Sequence, residues 1–101
     1  MTKELYRYIF TPDVPLEDLE VSLLLAVLSA ESLHGEAQVR LDAAHFFDSN
    51  QRACVIDANT SVGRDLNRLF VGFVRREFGE DAFRVERITK SPTHQFEEAH
   101  T

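Results

Sequence analysis

The chain is predicted to fold as an α+β sandwich, a four-stranded antiparallel sheet with two helices on one face. Three observations predict it. Short runs of β-forming residues fall at 5–10, 37–47, 52–58 and 83–88. Two longer segments, beginning near Leu16 and Val62, repeat apolar residues at helical spacing. The order is therefore strand, helix, strand, strand, helix, strand. With right-handed crossovers this gives the sheet order 4-1-3-2.

The 101 residues are 44% hydrophobic, which suits one domain over residues 1–89 with a modest core. Residues 90–101 are polar and without period, and are expected to form a disordered tail. Cys54 is the one cysteine, so no internal disulfide can form, and its apolar neighbours make it a core thiol. No apolar run reaches the ~20 residues of a membrane span. Residues 1–5 lack the apolar stretch of a signal peptide, and a cytoplasmic protein is expected. The net charge of −6 argues against binding a phosphate backbone.

Residues 5–10 are apolar on both alternating faces apart from Arg7, the mark of a central strand. Asp13 is placed to cap the first helix, Pro15 suits its start, and Glu17, Asp18 and Glu20 favour its positive end. Leu16, Leu19, Leu23, Leu24, Val27 and Leu28 form its buried face, with Gly35 as the stop. Leu25 widens the apolar arc, so this helix is buried deeply or meets a partner. From Ala37 the period shortens to two, with Val39, Leu41 and Ala43 predicted inward on a second strand that runs on through His45 to Phe47. A two-residue turn at Ser49 and Asn50 would make facing residue numbers total 99, setting His45 opposite Cys54 and Asp42 opposite Asp57. The second helix repeats Val62, Leu66, Leu69, Phe70, Phe73 and Val74 and stops at Gly79. The whole is a ferredoxin-like βαββαβ arrangement.

Two helices cover only one face of such a sheet. Alternation leaves Leu5, Arg7, Ile9, Phe46, Val55 and Ile88 on the other, an aliphatic patch among charges of both signs. A solvated sheet face is more evenly polar, whereas a contact surface has this mixture. The leading functional expectation is therefore a small non-enzymatic interaction or assembly protein that forms a homodimer through its open sheet face. A different protein partner would fit the same surface.

Two other classes have some support. Thr60, Ser61 and Arg64 at a helix start, with Arg68 and Arg75 on the same stripe, would suit a phosphate group or nucleic acid. Capping and solvation account for these residues more simply, and the third strand lacks the aromatics on which bases stack. Asp42 and Asp57, facing each other beside Arg7, could form the pocket of a small enzyme or ligand-binding module. Neutralisation by Arg7 and Arg40 is the simpler account. His45 and Cys54 fall short of the three or four ligands zinc takes, so neither metal nor cofactor is expected.

Overall fold

A computed structural model of the chain describes residues 3–90. Strand β1 (Lys3–Phe10) leads into helices α1 (Leu16–His34) and α2 (Glu36–Asp42). A hairpin of β2 (His45–Asp48) and β3 (Ala53–Asp57) follows, then α3 (Ser61–Phe78), a single 3-10 turn at Glu80–Ala82, and β4 (Phe83–Lys90). All strand pairs are antiparallel, so this is an α+β fold with an open sheet and three helices. The strand order is β2-β3-β1-β4, which from the β4 edge reads 4-1-3-2.

The core lies between the sheet and the two long helices. Alternation along β1 sends Tyr8 and Phe10 inward, and Cys54 and Ile56 join them from β3. Leu19, Leu23 and Ala26 of α1 and Leu66, Phe70 and Val74 of α3 close over them. Tyr8 and Phe10 meet Phe70 edge to face, with ring centroids 5.8 and 6.1 Å apart, and Phe83 adds a further edge contact to Tyr8 at 5.7 Å. Phe70 is fully buried at the centre of this cluster, where truncation to Ala would cost about 3–5 kcal/mol.

Helix α1 turns differently from the expectation. Its buried side is Leu19, Ser22, Leu23, Ala26 and Ala30, while Leu24 and Leu28, expected inward, are half exposed. The small side chains Ser22, Ala26 and Ala30 recur every fourth residue, which lets helices approach closely. Ser22 Oγ donates to Glu77 Oε2 at 3.4 Å, and His34 Nε2 meets Asp65 Oδ2 at 2.8 Å, tying opposite ends of α1 to α3. Asp13 is no cap: Pro15 holds that position with no side-chain bond to the helix.

Residues 36–42 are helical, which corrects the expected strand from Ala37. Only Val39 is buried in α2, and Leu41, expected inward, is 78% exposed. Ala, Gln, Arg and Leu are good helix formers. Two pairs one turn apart support them, Arg40 with Glu36 at 2.7 Å and Gln38 with Asp42 at 2.6 Å. The alternation was a coincidence of composition.

The hairpin register also differs. Asp48 pairs with Ala53 and His45 with Ile56, so facing numbers total 101 across a four-residue loop. Asp48 Oδ1 accepts from the backbone N–H of Asn50 and of Gln51, and Arg52 adopts a φ of 52°. A shift of two keeps every side chain on its expected face. It separates His45 from Cys54 as facing residues. The Arg52 guanidinium then donates to the carbonyls of Thr11 and Val14, pinning the hairpin to the β1–α1 loop. The expected tail falls outside the described residues except for Lys90, the last residue of β4.

Thr60 caps α3, its Oγ1 accepting from Gly63 N–H at 2.9 Å and donating to the Asp42 carbonyl at 3.1 Å. A Cβ on Gly63 would lie 2.1 Å from the Asp57 carbonyl oxygen, so only glycine lets α3 start this close to β3. Gly72, midway along the same helix, has open space. Gly63→Ala should therefore lower the melting temperature sharply, by roughly 3 kcal/mol or more of stability. Gly72→Ala should leave the fold's stability equal or raise it by up to ~1 kcal/mol. Thermal melts of the two variants check the contrast.

Candidate interaction surface

The face of the sheet turned away from α1 and α3 is open, and the strand register arranges it in three rows. One runs Phe46, Val55, Arg7, Glu86 across all four strands. On one side lie Asp57, Leu5 and Ile88; on the other, Asp48, Ala53, Ile9 and Arg84. Each row mixes apolar with ionic groups: Arg7 and Asp57 lie on the central strands, and Asp48, Arg84 and Glu86 on the edge strands.

Phe46 is the most exposed apolar group of this face at 64%. It borders a shallow trough of about 370 Å³ with Val55, Leu5, Ile88 and Arg7. Arg7 is held across the trough rather than free in solvent. Its guanidinium donates to Gln51 Oε1 at 2.5 Å and lies 3.8 Å from Glu86 Oε1. The structure thus gathers five of the six expected surface residues around one depression, and Ile9 flanks it beside Arg7 on β1. Asp48 and Gln51 also line it and were missing from the expectation. Asp48 shares the alternation of Phe46, which could have placed it there, whereas Gln51 depended on the length of the hairpin loop.

The residues expected at an enzyme or ligand pocket have separate partners. Asp42 ends α2 and takes the Gln38 amide, so it does not face Asp57 in the sheet. Asp57 Oδ1 accepts from both the backbone and side-chain nitrogens of Asn59, at 2.9 and 2.6 Å. Thr60 spends its hydroxyl on capping, and Ser61 begins α3 exposed. Arg64, Arg68 and Arg75 do share the outward side of α3, with Arg68 3.8 Å from Asp65 and Arg75 4.0 Å from Glu80. A polar cleft of about 210 Å³ between Arg64, Arg68, Asn67 and β1 also contains Glu4. The Tyr6 hydroxyl donates to Glu4 at 2.8 Å and, with Arg87 at 3.1 Å, holds its carboxyl below the usual range. That cleft therefore presents a carboxylate alongside its arginines.

Cys54 is fully buried against the core, where burial pushes its thiol up to about 12. Among the described residues, no three His, Cys, Asp or Glu side chains gather as metal ligands do. No helix among them is long and apolar enough to cross a membrane. What the fold and this surface define is a small α+β domain with one sheet face uncovered. No protein-family model and no curated protein matches the chain.

Burial also pushes the Tyr8 hydroxyl, which donates to Asn67, up to about 12 from an ordinary 10.0. Tyr8 and Cys54 both hold their protons more tightly folded than unfolded. Their contribution to stability is complete below about pH 9 and is lost as pH rises toward 12. Denaturant titrations from pH 8 to 11 should show stability falling, with the upper part of the fall shallower in Tyr8→Phe. Native Cys54 should resist alkylation at pH 8 and react on unfolding.

Proposed function

We propose that this chain is a small non-enzymatic assembly protein that pairs with a second copy of itself through the open sheet face. The observation that carries this is the juxtaposition of Phe46 and Val55 beside Leu5 and Ile88, an apolar centre on a face that no described element covers. The charges support a two-fold contact. The row Asp48, Ala53, Ile9, Arg84 is acidic at the β2 edge and basic at the β4 edge. A two-fold axis along the strands sets each copy's Asp48 near the other copy's Arg84. Arg7, already held by Gln51 and Glu86, would lose little side-chain freedom on joining the interface.

The strand order and the two long helices on one side support a ferredoxin-like description, with α2 an addition to that plan.

Burying Phe46 on association contributes on the order of 2 kcal/mol, so Phe46→Arg should weaken pairing by at least tenfold. Sedimentation velocity on the full chain checks it: the wild type should contain a species held by the sheet face that Phe46→Arg and Val55→Arg each remove. A wild type with the same mass distribution as both variants would overturn the reading.

A further inference from the structure

We propose that the helical layer is a second self-association surface, on which α1 of one copy lies antiparallel to α3 of another, and the reverse. This stands independently of the sheet-face reading. Val21, Leu24, Leu25 and Leu28 are spaced so that they share one side of α1, and they are 55, 57, 49 and 48% exposed. An ordinary surface helix is polar on that side. Together these four expose on the order of 350 Å² of apolar surface, a patch of the size that marks a contact site. It would supply the apolar centre of an interface of ~800 Å² per partner.

Charge selects the occupant. The carboxyl side chains of α1, at Glu17, Asp18, Glu20 and Glu31, lie on a helix that contains no Lys or Arg. The outward side of α3 carries Arg64, Arg68 and Arg75, with Arg76 adjacent and exposed. The chain thus presents an acidic apolar helix beside a basic one. A two-fold axis parallel to the helices places α1 over the partner copy's α3, whereas one perpendicular to them stacks two acidic α1 helices. The first arrangement matches opposite charges twice.

The register agrees. Ser22 with Glu77 and His34 with Asp65 each total 99, so residue numbers of α1 and α3 that total 99 lie level. The parallel two-fold keeps that level. It brings Leu28 to Val71 and Gly72 of the other copy and Glu31 to its Arg68. Glu20 reaches within about a turn of its Arg75 and Arg76. Gly72 fits this contact. Beyond its neighbours and its own turn of helix, nothing lies within 4 Å of where its Cβ would be, although glycine weakens a helix interior. It leaves a notch level with the leucines of the other copy.

The helical and sheet surfaces lie on opposite sides of a body whose smallest extent is 18 Å. Two-fold axes in two such separated planes do not intersect, so the two contacts together cannot close at a dimer. Copies using both add on in an open series.

The test is sedimentation velocity over a hundredfold range of concentration with the full chain. Wild type should pass beyond a dimer as concentration rises. Leu24→Lys/Leu28→Lys, which sets positive charge against the other copy's arginines, should stop at a dimer held by the sheet. Phe46→Arg should stop at a dimer held by the helices, and the combined variant should be monomeric. Gly72→Lys, at an open position on α3, should reproduce the double-lysine result whether or not that variant folds. The proposal is overturned if Gly72→Lys sediments as wild type does, or if Phe46→Arg is already monomeric. A Phe46→Arg profile identical to wild type would instead sink the sheet-face reading and leave this one standing.

Discussion

Packing of Phe70 against Tyr8 and Phe10, with Phe83 beside Tyr8, is the contact on which the rest of the molecule depends. It joins the central strand to α3, and through Leu19, Leu23 and Ala26 it draws α1 onto the same side. A strand alternates its side chains, so fixing Tyr8 and Phe10 inward fixes Leu5, Arg7 and Ile9 outward. The register of β3 and β4 extends that choice across the sheet. One aromatic cluster therefore decides which face of the protein is core and which is surface.

Two consequences follow from this sidedness. The sheet's underside keeps aliphatic side chains that no described element covers, and Arg7 lies among them, bonded to Gln51 and beside Glu86. On the other side, the buried side of α1 combines Leu19 and Leu23 with the small Ser22, Ala26 and Ala30. Close helix approach turns Leu24, Leu25 and Leu28 outward. Both exterior layers are thus more apolar than solvation alone would favour. Cys54 is buried, and the Thr60 hydroxyl is engaged at the start of α3.

Much of the fold was legible because the strongest signals are local. The two-sided apolar pattern of residues 5–10 marked a central strand, and Val62, Leu66, Phe70 and Val74 marked a one-sided helix. Gly35 and Gly79 marked helix ends. The outward set of Leu5, Arg7, Ile9, Phe46, Val55 and Ile88 followed from alternation and survived the error in hairpin register, since a slip of two preserves parity. The failures came where the deciding force was not local. Period-two spacing at Val39 and Leu41 mimicked a strand in a segment held helical by i,i+4 pairs and its docking through Val39. In α1, the expected face included Leu24 and Leu28, which turn outward because the small Ser22, Ala26 and Ala30 share the buried side with Leu19 and Leu23. The Asp42–Asp57 pair disappeared with the strand that was to hold it.

The central claim is that the sheet face opposite the aromatic cluster is open in the isolated chain and becomes covered on association. Hydroxyl-radical footprinting of the full chain, read by mass spectrometry, measures this at Phe46 directly. Oxidation of Phe46 should be fast in dilute protein and slow progressively with concentration, while Phe70 stays protected throughout. Phe46 protected already at the lowest concentration, or oxidised equally at all of them, would contradict the account.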